Sequence, residues 1–396
     1  MSQSKDQGQS PQPRPLPNLN IPPSQSTVSI SVIDTGARVS LPMTHILTPS
    51  IPGKPVFSGP AYSFLIANGT RKILFDLGIR KDYATGYAPA VCARINDPSR
   101  GFKVWWAGGE EEARDVTDVL TRGGVELGEI EAVVWSHHHW DHTGNVSRFP
   151  GSTGLVVGPG FKDAFGEGWP KVEGSGVRGD DWEGRELREV AFDDGLKIGR
   201  LRAVDWFGDG SFYLLDTPGH AVGHVCGLAR VKEGEGEGEG EAFVFMGGDC
   251  AHHPGEFRPS PYLPIPDNIS PSPLPHHHAY ATICPEALFD TVHPANDPVA
   301  KRTEPFYTPT KSFPFDYDQC MWSIEGMQEF DADERVFVVN AHDETLLGLF
   351  EGEGQEKGWV WPNGRSLNQW REAALGKKGK WRFLGDFAEG VEAGKP

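Results

Sequence analysis

Residues 136–142 read Ser-His-His-His-Trp-Asp-His, which places His137, His139, Asp141 and His142 in the pattern His-x-His-x-Asp-His. Imidazole nitrogen plus carboxylate oxygen is the ligand set of zinc-type centres, and a catalytic centre keeps a position for water beside its protein ligands. A turn after a strand splays alternate side chains to one side. His137 and His139 can therefore share one ion, with Asp141 and His142 in reach of a second. Taken alone, the cluster could also be a solvated, histidine-rich loop.

Three further segments argue against that reading. Each is an apolar run that ends in a ligand-type residue: Leu214-Leu215-Asp216-Thr217-Pro218-Gly219-His220, Phe243 to Asp249, and Val336 to His342. A metal site assembled on one rim of a sheet core requires this arrangement. One histidine after a strand is usually a packed core residue, but strand ends repeated in chain order are not explained so simply.

The elements that must carry these ends follow from hydrophobic periodicity. Strands are predicted at Val28–Ile33, Tyr62–Ile66 and Lys72–Phe75, the last two joined by the hairpin signal Asn68-Gly69. Further strands are predicted at Ile130–Trp135, Leu155–Val157, Leu201–Val204, Ser211–Leu215, Val225–Leu228, Phe243–Met246 and Val336–Val339. Helical character covers Glu110–Leu120, Tyr317–Phe330 and Leu367–Leu375. This order fits a layered sheet core with helices outside. Residues 1–26, rich in Ser, Gln and Pro, read as a disordered tail ahead of a catalytic domain over 27–375, with 376–396 as a C-terminal extension. Two stretches read as insertions, the Glu-Gly repeat near 231–242 and the Pro-rich stretch near 254–280 that runs into His276-His277-His278. The repeat has nothing to pack and reads as dispensable.

Composition narrows the function. With 37 basic and 55 acidic side chains the chain carries −18, which argues against a nucleic-acid partner. The 49 glycines and 33 prolines in 396 residues favour loops over long helices. Five scattered cysteines form no CxxC pair, so neither a disulfide framework nor a thiolate zinc site is expected. The N-terminal stretch has no apolar run for a secretory signal or membrane span, and cytoplasmic residence without a membrane partner is the expectation. Oligomeric state leaves no signal.

Taken together, these motifs resemble the metallo-β-lactamase superfamily, with Phe75-Asp76-Leu77-Gly78 matching its first element and the match running from about Thr27 to His342. The resemblance implies an αββα sandwich with a dinuclear metal site at one sheet edge. It implies two Zn2+ ions, the first held by His137, His139 and His220, the second by Asp141, His142 and His342, with Asp249 bridging. It also places Asp76 behind a ligand imidazole, His138 pointing away, and His224 packed nearby without ligating. The chemistry implied is attack on a carbonyl by water activated between the ions, with Asp141 helping to handle the proton.

The superfamily hosts many reactions, so the fold alone does not select one. Nuclease branches need RNA-gripping regions that this acidic chain does not show, and the di-iron branch carries Glu where His139 stands. The segment Gly248–Ser260 is similar to fungal lactonase-like and lactamase-like members, some of which open cyclic carbamates. Bacterial acyl-homoserine lactonases place a Tyr where this chain has His252, so His252 is a candidate oxyanion donor or acid, with a loop histidine as the alternative. The expected function is therefore opening of a cyclic ester, lactam or carbamate of a small-molecule substrate. A thioesterase releasing acyl or polyketide groups is the alternative, and a non-catalytic metal-binding protein is a third reading. Trp105, Trp106 and Trp140 suggest an aromatic pocket wall, and no basic cluster for glutathione carboxylates is evident in the sequence.

Overall fold

The structure is a computed structural model that describes residues 12–234, 240–277, 279–352 and 357–393. Two six-stranded sheets face each other. In the first, Ser29–Ile33 pairs antiparallel with Ser63–Asn68, which pairs antiparallel with Arg71–Phe75. The sheet then continues in parallel through Ile130–Val134, Gly154–Val157 and Leu187–Glu189. In the second, Lys197–Ile198, Leu201–Asp205, Phe212–Asp216, Val225–Lys232 and Ala242–Met246 run as an antiparallel meander, and Val336–Val339 adds in parallel.

The layering follows from which residues face which side. Alternate residues of the first sheet, among them Ile30, Val32, Phe64, Phe75 and Val134, meet Phe212, Leu214, Val244, Met246 and Val339 of the second in one core. The opposite face of the first sheet buries Leu74, Val133 and Leu155 against Val116 and Leu120 of the helix Val116–Arg122. The outer face of the second buries Leu215, Leu228 and Phe245 against Ile324, Met327 and Phe330 of the helix Tyr317–Ala332. The architecture is thus the αββα sandwich. Because both faces of each sheet are covered, its strands are apolar runs rather than strict alternations.

Several local expectations change. The helix expected over Glu110–Leu120 splits into a 3-10 turn, Glu110–Glu112, and the helix Val116–Arg122, because the Asp118 carboxylate accepts the Asp115 N–H at 3.0 Å and starts the helix anew there. The helix expected over Leu367–Leu375 is a 3-10 turn, Leu367–Gln369, and a helix, Leu375–Gly379, broken at Ala374, whose φ is +56°. A three-stranded sheet of Val56–Pro60, Ala37–Pro42 and Lys103–Trp106 has no counterpart among the predicted strands.

The expected disordered tail is corrected for residues 12–26. They form no helix or strand, but Leu19 is buried in the outer core of the second sheet and its carbonyl accepts the Gly199 N–H. The Pro22 carbonyl accepts a hydrogen bond from the buried Arg230 guanidinium. Composition underestimated this segment because a single leucine and free carbonyls suffice to anchor an extended chain. Residues 376–393, expected as an extension, bury Phe383, Leu384, Phe387 and Val391 together with Ile265 and Ile269 of the Pro-rich region, and with Cys284, Leu41 and Phe57. Residues 1–11, the centre of the Glu-Gly repeat at 235–239, His278, 353–356 and 394–396 lie outside the described residues. All five cysteines are free, and no helix among the described residues is long and apolar enough to cross a membrane.

Candidate metal centre

Strands that end at one rim deliver the cluster. Arg71–Phe75 and Ile130–Val134 run parallel, as do Ala242–Met246 and Val336–Val339, so Asp76, the 137–142 turn, Asp249 and His342 all leave at the same edge. Phe212–Asp216 runs the same way as Ala242–Met246, since both are antiparallel to the strand between them, and it delivers His220. Two turns depend on glycine. Gly219, at φ +122°, lies where a Cβ would stand 2.0 Å from the Cys320 nitrogen, and Gly248, at φ +48°, where one would stand 2.9 Å from the Ser136 Cβ.

Two groups of side chains that could hold a metal ion result, His137, His139, His220 and Asp249 in one and Asp141, His142 and His342 in the other. In the first, the His220 Nε2 lies 3.2 Å from the His137 Nε2 and 3.0 Å from the His139 Nδ1. In the second, the Nε2 atoms of His142 and His342 are 3.3 Å apart, with the Asp141 Oδ2 3.5 Å from His342. Asp249 faces both groups. Its Oδ1 stands 3.1 Å from the Nε2 of both His142 and His342, and its Oδ2 3.7 Å and 3.5 Å from those of His137 and His220.

The donor set fits metal ions. The Asp249 Oδ1 is buried without a hydrogen-bond partner, and the Nε2 atoms of His142 and His342 both lie 3.1 Å from it. The outer nitrogens of His342 and His142 are held from behind, whereas the His220 Nδ1 is buried without a partner. The His342 Nδ1 is 2.6 Å from the Pro60 carbonyl, and the His142 Nδ1 is 2.8 Å from the Asp76 Oδ2. Such partners fix the tautomer that turns the other nitrogen toward an ion. Burial pushes His137, His139 and His220 below the usual histidine range, as a neutral ligand imidazole requires. Burial also opposes the charge on Asp249, but the surrounding histidines hold it well below the ordinary carboxylate value. His142 moves the opposite way, because Asp249 and Asp76 outweigh its burial.

Asp76 is the buried hub behind this cluster. It accepts the Ser136 N–H at 2.6 Å and the Ser136 hydroxyl at 2.8 Å as well as facing His142, and it holds φ +59°, a sparsely populated conformation for a residue with a side chain. The His224 Nε2 accepts the Asp249 N–H at 3.0 Å while the Nδ1 faces the Thr217 hydroxyl at 2.8 Å. Burial lowers the His224 pKa to about 3, which leaves that acceptor lone pair free. His138 turns away and lies against Phe165, 4.4 Å between ring centroids.

A cavity of about 560 Å3 opens over the cluster, reaching His139, Asp141, Asp249, His252 and His342. His252 forms part of its wall with its Nε2 3.2 Å from the Asp249 Oδ2 and its ring between Phe57 and Phe313. Of the three tryptophans expected there, only Trp140 lines the cavity. Trp106 is buried against Tyr83 and Trp105 is 40% exposed, because their strand joins the unexpected third sheet. Phe57, Phe102 and Phe313 supply the other aromatic faces. Sequence reasoning also missed Arg94 and Arg100 on this wall. They stand apart from every motif, and the short helix Pro89–Ile95 that carries Arg94 had no recognisable signal.

Residues 57–232 match the metallo-beta-lactamase superfamily. The gamma-lactamase FDB1 of Fusarium pseudograminearum is 38% identical over 384 residues, which cover 94% of this chain and 85% of that protein. This chain belongs to the metallo-β-lactamase superfamily. It stands among fungal lactamase-like members of this hydrolase superfamily. The metallo-hydrolase mfmC of Annulohypoxylon moriforme is 39% identical over 373 residues, covering 94% of this chain and 90% of that one. The cytochrome P450 monooxygenase mpaDE of Penicillium brevicompactum is 38% identical over 387 residues, and this superfamily member spans only 40% of its length.

Proposed function

We propose that this protein hydrolyses a small cyclic ester, lactam or cyclic carbamate. The observation that carries the reading is the cavity, which ends on His139, Asp141, Asp249 and His342 of the cluster and is walled by flat apolar rings. The likeness to a protein named as a gamma-lactamase over nearly the whole chain supports it. None of the relatives named above is called a thioesterase.

His137, His139 and His220 would hold one zinc ion, Asp141, His142 and His342 a second, and Asp249 would face both. Zinc bound there supplies hydroxide at neutral pH and polarises a carbonyl oxygen. The protein's own groups do the rest. Asp141 lies on the cavity wall and is partly exposed, so its free carboxylate oxygen can take the proton of the attacking water. The His252 Nε2–H, on the same wall, donates to the oxyanion that develops on the carbonyl. Phe57 and Phe313 flank His252, fix its ring and keep bulk water from that bond. Asp76 and the Pro60 carbonyl hold the ligand imidazoles in one orientation, so the site is organised before substrate arrives.

The test is a side-by-side measurement of kcat/KM for the zinc-loaded protein on dihydrocoumarin, benzoxazolinone, a β-lactam and S-lactoylglutathione. Ring substrates are expected to lead. Thioester cleavage that dominates the panel would overturn the proposal.

A further inference from the structure

Arg94 lines the cavity beside Trp140 and Asp141, and its Nε is buried without a hydrogen-bond partner. No hydrogen bond or ion pair involves its guanidinium among the described residues. The buried arginines behave differently: Arg38 pairs with Asp34, Arg80 with Asp82, Arg230 with Glu241 and Arg258 with Asp331. A partly buried guanidinium without an anion forfeits hydration that nothing in the protein returns. Arg100 lies on the same wall, and among the described residues its guanidinium is tethered only by an exposed contact of 3.8 Å to Asp97. Burial lowers the Arg94 pKa, with repulsion from Arg100 adding to it and attraction from Asp141 opposing it, and a guanidinium stays cationic in proteins at any working pH. The chain as a whole carries −18, so its overall field repels anions and this cationic wall is a local exception.

We propose that Arg94, assisted by Arg100, receives a carboxylate carried by the ring substrate, which makes the pocket selective for anionic lactones or lactams over neutral ones. The inference rests on the ring-opening function proposed above. A planar guanidinium matches a carboxylate with two parallel hydrogen bonds, so it fixes orientation as well as adding affinity. The apolar faces of Phe57, Phe102 and Phe313 take the ring, the arginines take the substituent, and the scissile carbonyl is left to face the cluster. The about 560 Å3 available is in the range of small-molecule sites.

The test compares zinc-loaded wild type, Arg94→Gln and Arg94→Lys on dihydrocoumarin and on a carboxylate-bearing dihydrocoumarin. Loss of a charge-assisted pair should raise KM for the carboxylate substrate about 10–100-fold in Arg94→Gln. The KM for neutral dihydrocoumarin should change far less than that for the carboxylate substrate, any change in kcat should be shared by both substrates, and Arg94→Lys should recover part of the KM loss. Equal losses on both substrates, or a loss in kcat alone, would overturn the proposal. Calorimetric binding of benzoate to the same three proteins gives a readout that needs no turnover. Benzoate binding should weaken in Arg94→Gln and recover partly in Arg94→Lys, and equal affinities would overturn the carboxylate site. If neither ring is opened while benzoate binding still depends on Arg94, the ring-opening function falls and the carboxylate site stands.

Discussion

Replacing Asp76 with asparagine separates two jobs that the carboxylate performs at once. Its Oδ1 accepts the Ser136 N–H at 2.6 Å, and its Oδ2 faces the Ser136 hydroxyl and the His142 Nδ1, each at 2.8 Å. An asparagine fits the same space and tolerates the φ of +59°. Its carbonyl can keep the Ser136 N–H, so the fold should lose no more than about 1 kcal/mol, the value of one ordinary hydrogen bond. Its amide, however, donates where the carboxylate accepted. The His142 Nδ1 then becomes an acceptor, the proton moves to Nε2, and that proton points at the position an ion would take. Disrupting such a partner costs about 10–100-fold in metal affinity. Alanine at position 76 should show the same metal defect plus about 1–3 kcal/mol of instability from the orphaned, buried Ser136 N–H. Chelator-competition titration of zinc together with thermal unfolding of the metal-free forms measures both terms. Asp249→Ala should lose more activity than Asp76→Ala at saturating zinc, because Asp249 faces both groups of ligands. Asp76→Asn protein that binds two zinc ions with wild-type affinity would refute the tautomer argument, and Asp76→Ala proving the more damaging would refute the assignment of Asp249.

His252→Ala should lower turnover of the best ring substrate by about 10²–10³-fold if it is the main oxyanion donor, with metal content intact by elemental analysis; unchanged turnover removes it from that role. The Glu-Gly repeat must now be divided, since Glu241 pairs with the fully buried Arg230 and with Arg335. Replacing 234–240 with a short Asn-Gly turn should leave denaturant midpoints and turnover unchanged, whereas Glu241→Ala should cost about 3–5 kcal/mol by stranding the buried guanidinium. Asp181 is buried and makes no ion pair among the described residues; burial, with Asp180 adding to it, raises its pKa to about 7 from an ordinary 3.8. The folded state thus holds a proton that the unfolded chain releases, so this group's contribution to stability is whole below about pH 4 and drains away as pH rises to about 7. Asp181→Asn should therefore raise the melting temperature at pH 8 and barely at pH 4, and a uniform shift at both would refute the assignment.

The amino-acid sequence determined the parts of the centre that are local. Each clustered residue follows an apolar strand within a few positions, and His137, His139, Asp141, His142, His220, Asp249 and His342 could be picked out because strand, turn and ligand type occur together, whereas Asp76 came only with the family resemblance. Their convergence then needs only parallel strand ends at one rim, a consequence of sheet pairing. The cavity above them was decided elsewhere. Phe57, Arg94, Phe102 and Phe313 come from an unforeseen strand, a seven-residue helix and two loops, none of which has a period that marks it. Trp105 and Trp106 looked like wall residues until their strand paired with Ala37–Pro42 and carried them away. Leu19 and Glu241 sat in segments whose composition spoke for disorder, yet one core leucine and one buried ion pair tie them down. A metal ligand is announced by its own neighbours in the chain, whereas a pocket wall is set by which distant surfaces pack together, and that free energy is summed over contacts a single sequence does not display.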